Sequence, residues 1–304
     1  SNVVLTITSA DTGESTVTSP LTFTNGNWNT PQTVTVTGVD ENLVDGDQTV
    51  VLTVEVVDGS SDNAYDNVPD QTVNVINADN DSAGFTVVET GGNTTVTEGG
   101  STDTFTVILS QQPSSNVVLT VVSGDTGEST VSTGTLTFTN GNWNTAQTIT
   151  VTGADDSIID GNQNSTITIS VDDANSDNSF DPLNDQTVSA STTDDDVVGF
   201  TIVESGGSTA VNEGGSTDTF TVVLDTQPAS DVVLTITSAD TGESTVTSPL
   251  TFTNGNWNTP QTVTVTGVND SLVDGDVNSV LTIAIDDANS DNNFDPLNNQ
   301  TVTA

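Results

Sequence analysis

The stretch Leu136-Thr-Phe-Thr-Asn-Gly-Asn-Trp143-Asn-Thr-Ala-Gln-Thr-Ile-Thr-Val151-Thr-Gly-Ala-Asp155-Asp156-Ser-Ile-Ile-Asp160-Gly161-Asn162 decides the reading of this chain. It predicts a strand, a turn holding the only tryptophan of its repeat, a second strand of alternating Thr with Ile or Val, and then a burst of carboxylates. Near-copies run from Leu21 to Asp47 and from Leu250 to Asp276. Alternation over four to eight residues bounded by Gly, Asn and Asp marks a half-buried strand, and no amphipathic helical period interrupts it.

The spacing of Trp28, Trp143 and Trp257 sets a repeat of about 115 residues, and Gly84-Phe85-Thr recurs as Gly199-Phe200-Thr. The expected organisation is residues 1–83 as the back part of one repeat, 84–198 as a complete repeat, and 199–304 as a repeat lacking its final linker. Both ends fall inside a repeat and there is no methionine at position 1, so the chain reads as a segment of a longer protein.

The 304 residues hold 43 Asp and Glu and no Lys, Arg or His. A chain of formal net charge −43 without one side-chain cation cannot form internal salt bridges between side chains, and it repels nucleic acid and anionic membrane surfaces. Cysteine is absent, which excludes disulfides and thiolate chemistry. No apolar run is long enough for a spanning helix, so no direct membrane insertion is expected of this segment. Without His, Lys or Cys the usual means of activating a nucleophile are missing, and no enzyme is expected.

Within residues 84–198, strands are predicted at Phe85 to Glu89 continuing at Thr94 to Thr97, then Thr104 to Leu109, Val117 to Val122, Leu136 to Thr139, Gln147 to Thr152, Ser165 to Val171 and Gln186 to Ala190. Seven short strands predict an all-β fold: tandem seven-stranded antiparallel immunoglobulin-like sandwiches arranged head to tail as a rod. If successive strands reverse direction, four acidic connections share one end. These carry Glu98, Asp125, the Asp155-Asp156 and Asp160 loop, and the closing Asp194-Asp195-Asp196.

Carboxylates crowded at one tip require protons or a cation, and an all-oxygen set without His or Cys selects a hard ion. Ca²⁺ tolerates the irregular shells of six to eight oxygens that loops provide, whereas Mg²⁺ demands a stricter octahedron. The candidate ligands of the complete repeat are Glu98, Asp125, Asp155, Asp156, Asp160, Asp194, Asp195 and Asp196. In the first copy they are Asp11, Asp40, Glu41, Asp45, Asp79 and Asp81, with Asp47 nearby. In the third they are Glu213, Asp240, Asp270, Asp274 and Asp276. Calcium at these tips is expected to tie each repeat to the next.

The order Glu98-Gly-Gly, Thr104-Phe-Thr-Val-Ile-Leu109, a Thr-Val-Thr strand followed by clustered acids, and a closing Asp-rich linker resembles the Calx-beta family. It is most similar to tandem copies in very large bacterial surface adhesins, including gliding-motility adhesins. That resemblance implies calcium ligation by Glu98 and Glu213, by the acidic loops, and by Asp194, Asp195 and Asp196. Asn162 and Asn269 depart from the pattern, standing where sister copies carry acids.

The function expected is a calcium-stiffened stalk of a cell-surface or secreted bacterial adhesin, its partners being adjacent repeats of the same chain and, through calcium, lateral copies. Strands of six or seven residues give roughly 40 Å per sandwich. Two alternatives stay open: repeats that bind glycan or cells themselves, and a calcium-sensing regulatory domain. The tryptophans are expected as core lids rather than sugar platforms. Phe23, Phe138, Phe252 and Tyr65 are expected in the core, and the Asp172 to Asp185 loop as turn-forming.

Overall fold

The computed structural model of the chain describes residues 1–269, 271, 273 and 275–304. It is an all-β protein of antiparallel sandwiches. In the central copy one sheet pairs Phe85–Glu89, Thr102–Leu109, Gln147–Gly153 and Ser129–Val131. The facing sheet pairs Thr135–Phe138, Val117–Ser123, Gln163–Val171, Gln186–Thr193 and Thr94–Thr97. All of these pairings are antiparallel except the last, where Thr94–Thr97 lies parallel to Gln186–Thr193.

The Thr and Val alternation does what a period of two requires. Along Gln147–Gly153 every second residue from Ile149 is buried, while Thr150 and Thr152 are half-buried on the other face. Phe105, Phe138, Ile149, Ile167 and Phe180 are wholly buried between the sheets. Each fully buried side chain of this size contributes about 1.5–3 kcal/mol, so the sandwich stands without disulfides.

Three details go beyond the predicted strands. The first strand changes sheets at Gly91 and Gly92, whose φ values of 76° and 89° are open to glycine but costly for other residues. Ser129–Val131 pairs with Gln147–Gly153 before the chain returns to the other sheet. Gln112–Pro113 forms a short strand whose partner, Leu43–Val44, belongs to the preceding copy.

The third copy has its own core around Phe220, Phe252 and Phe294, and its sheets follow the central ones except that the facing sheet has four strands, with no counterpart of Thr94–Thr97 among the described residues. The first copy is thinner. Ser1 stands at the position of Ser115, so the positions of Phe85–Glu89, Thr94–Thr97 and Thr102–Leu109 have no equivalents among the described residues, and its buried cluster is Ile7, Val50 and Leu52. Phe23 is therefore half-buried and Tyr65 is 49% exposed, a departure from the core positions expected of them. Trp28 is 70% exposed where Trp143 and Trp257 pack against their cores.

Consecutive copies meet end to end. The backbone N–H of Gln112 donates to Asn42 O at 2.8 Å, and that of Gln227 donates to Ser157 O at 2.7 Å. Ile158 and Gln227 form a parallel bridge at the second joint, matching Leu43 and Gln112 at the first. Each joint thus sets an acidic loop against the opening loops of the next copy.

Candidate metal centre

Parallel pairing explains why Glu98 reaches the exit tip. Thr94–Thr97 and Gln186–Thr193 run in the same direction and end together, so Glu98 follows one and Asp194 the other. The N–H of Glu98 donates to Thr193 O at 3.1 Å, and the N–H of Ala154 to Glu128 O at 2.9 Å. Gly153 lets these segments close up, since a Cβ there would collide with the Thr97 carbonyl. The acidic loop is stapled to the linker through Asp194, whose Oδ2 accepts from Gly161 N at 2.8 Å and whose Oδ1 accepts from Asp196 N at 2.9 Å.

At this tip Glu98, Asp156 and Asp196 bring carboxylate oxygens within 4.8 Å of one another. Glu98 is only 5% exposed. Glu98 Oε2, Glu128 Oε2 and Asp196 Oδ2 are buried without a hydrogen-bond partner. Burial, then the charges of Asp156, Asp194, Glu128 and Asp160, push the Glu98 carboxyl up to about 7. Burial and neighbouring acids also raise Asp196 and Glu128. Three half-desolvated carboxylates with uncommitted oxygens form an unfavourable arrangement unless something positive joins them. Among the described residues the one ion pair is that of the Ser1 amino group with Asp62, at the other end of the first copy.

The remaining expected residues sort into two kinds. Asp155 and Asp195 both face Gly99, on the rim of the cluster. Asp160 is exposed at the loop's end, near enough to raise Glu128. Asp194 is the staple already described. Asp125 is exposed and spends Oδ1 on the N–H of Gly127 at 3.0 Å, so it shapes its turn and lies outside the close group. Asp11 and Asp240 do the same toward Gly13 and Gly242.

In the first copy the close group is Glu14, Glu41 and Asp45. Burial, then Glu14 and Asp45, raise the Glu41 carboxyl. Asp79 Oδ2 accepts from Gly46 N at 2.7 Å, and Asp47 Oδ1 accepts from Asp79 N at 3.1 Å. The N–H of Asp81, donating to Asp79 Oδ1, is the largest influence holding the Asp79 carboxyl below its usual value. Asp40 is exposed beside this loop. In the third copy Glu213, Glu243 and Asp276 border a cavity of about 750 Å³. Asp270 and Asp274 lie outside the described residues.

The sequence reading missed Glu14 and Glu128. The signal was present, because a glutamate follows three residues after the turn aspartate in every copy: Asp11 and Glu14, Asp125 and Glu128, Asp240 and Glu243. Asn162 also gains an explanation. Its Oδ1 accepts from Asp194 N at 3.4 Å, as Asp47 accepts from Asp79, a role that any carbonyl-type oxygen fills.

At the opposite end, Asp177 Oδ2 accepts from Ser114 Oγ at 2.6 Å and Ser115 N at 3.0 Å, and Oδ1 from Ser179 N at 3.0 Å. Asp291 repeats this with Ala229, Ser230 and Asn293. Both carboxylates are saturated and act as loop staples.

No family model matches the chain, and no curated protein does. Solved structures similar to it include domains 4–9 of the surface layer protein SbsC, at 18% identity and a TM-score of 0.31, covering 98% of this chain and 38% of that one. The chain therefore spans well under half of that segment. The calcium binding domain CBD12 of CALX1.1 is similar at 14% identity and a TM-score of 0.29, covering 66% of this chain and 80% of that one. A Porphyromonas gingivalis protein of unknown function is similar at 9% identity and a TM-score of 0.25, covering 72% and 98%. The fold assignment rests on the strand pairing given above.

Proposed function

We propose that this chain is a calcium-stiffened stalk segment of a large bacterial cell-surface or secreted adhesin, built from repeats at 1–83, 84–198 and 199–304. The observation that carries the reading is the set of buried, unpartnered oxygens on Glu98, Glu128 and Asp196, drawn from three separate segments to the joint with the next copy. A hard divalent ion satisfies that donor set, and Ca²⁺ suits its loop-borne, all-oxygen character. Glu98, Asp156 and Asp196 would hold the ion, with Glu128 beside them. When bound, it supplies the positive charge that the sequence itself lacks.

The acidic loop that helps form this group also carries the bridge to the following copy, through Ile158 and Gln227. Ordering the loop therefore orders the joint, and stiffness follows from metal affinity. Carboxylates cluster at both joints, though from partly different positions, and such repetition favours a structural task over catalysis. Ca²⁺ binds the folded tip far better than the unfolded chain, so it stabilises by mass action as well.

Melting and small-angle scattering of the whole chain test this reading. It expects a higher melting temperature and a more extended scattering profile in millimolar CaCl₂ than in EDTA. Superimposable curves in the two buffers overturn it.

A further inference from the structure

This inference rests on the calcium reading and concerns which joints draw the linker's last aspartate into the site. The two joints share one register, with Gln112 and Gln227 making equivalent backbone bonds to Asn42 and Ser157. The residue just before each differs: Gln111 at the first joint and Thr226 at the second. Gln111 Nε2 donates to Asp81 Oδ1 at 2.5 Å, a direct bond from one copy to the linker of the copy before it.

Threonine is too short to repeat that contact. Thr226 is only 3% exposed, and its Oγ1 has no hydrogen-bond partner. Asp196, which holds the place of Asp81, has a buried Oδ2 with no partner either. At the second joint the residues in these two positions thus each keep an uncommitted oxygen. Asp196 belongs to the close carboxylate group at the second joint, whereas Asp81 is committed to Gln111 at the first.

We propose that the residue at positions 111 and 226 selects how a joint is held. Glutamine binds the linker's final aspartate directly and keeps it from the metal. Threonine leaves that aspartate to the cation and adds an uncommitted hydroxyl from the following repeat. The first joint is accordingly closed without calcium, and the second depends on it. A chain assembled from such units mixes permanent and calcium-dependent joints by a single side-chain choice.

The test uses the full 304-residue chain with Thr226→Gln and with Gln111→Thr, read by calorimetric titration with CaCl₂ and by melting in EDTA. Thr226→Gln is expected to weaken the Glu98 site roughly tenfold, as losing one charged ligand does, while raising the melting temperature in EDTA. Gln111→Thr is expected to lower the melting temperature in EDTA and to make the first joint calcium-responsive. A substitution that merely disturbed packing would lower melting in both buffers. Unchanged calcium affinity in Thr226→Gln, with wild type binding, overturns the selector while leaving the calcium reading intact. Unchanged EDTA melting in Gln111→Thr overturns it independently of any metal. Absence of calcium uptake by wild type overturns the calcium reading itself.

Discussion

Glu98 and Asp196 stand at opposite ends of one repeat, yet they place carboxylate oxygens within 4.8 Å of each other, and each keeps a buried oxygen without a partner. Parallel pairing of Thr94–Thr97 with Gln186–Thr193 causes the meeting. In water such a pair would separate; here the strand ends and the Asp194 staple hold it.

Glu98→Gln tests the electrostatic side of this arrangement. It removes a charge from the centre of the group while keeping shape and one acceptor. Calcium affinity at the central tip is expected to fall by roughly tenfold or more. In EDTA the same variant should melt a few degrees higher than wild type, because like-charge repulsion is relieved. Calorimetric titration and scanning calorimetry read the two effects separately.

The pH dependence has a defined sign. Burial raises the Glu98 carboxyl from an ordinary 4.5 to about 7, so the fold favours its protonated form. Its contribution to stability is fully present below the unfolded value and is lost as pH rises through about 7. Without calcium, melting temperature should therefore rise as pH falls from 8 toward 5, and Glu98→Gln should flatten that slope. Calcium affinity should move the other way, weakening on acidification as protons compete for the same oxygens. Melting across a pH series, with and without chelator, checks both.

Gly153→Ala tests the backbone closure that aims Glu98. A methyl at this position meets the Thr97 carbonyl, and the counterpart Gly267 meets the Asn212 carbonyl in the same way. Either substitution should cost about 1–3 kcal/mol by overpacking. Only Gly153→Ala should also weaken calcium binding at the central tip, measurable by titration of the two variants side by side.

The tryptophans provide an internal comparison. Trp143 packs against the central core, so Trp143→Ala should cost about 3 kcal/mol in denaturant unfolding. Trp28 is 70% exposed, and Trp28→Ala should cost well under half as much. Comparable losses would mean that the first copy is covered in solution by something beyond the contacts described.

The antiparallel sandwich and the sorting of acidic loops to one end were legible from two rules: a period of two fixes faces, and antiparallel reversal sorts loops between ends. Glu128 was not legible by those rules. Asp125 was assigned as the ligand of its loop, but its Oδ1 accepts from Gly127 N and shapes the turn, while Glu128 keeps a buried oxygen without a partner. Ser129–Val131 was too short to carry an alternating pattern. The pairing of Gln112–Pro113 with Leu43–Val44 joins residues from different copies, and no local pattern announces such a contact. Phe23 and Tyr65 followed the pattern of their sister residues, but their covering strands are not in this chain, so the shared pattern did not bury them.

The most direct measurement is the electron density at the central tip in crystals grown with CaCl₂. The account predicts an ordered cation with Glu98, Asp156 and Asp196 oxygens at about 2.3–2.6 Å, confirmed by its anomalous signal. A well-ordered tip in the same crystals with only water between those carboxylates would contradict it.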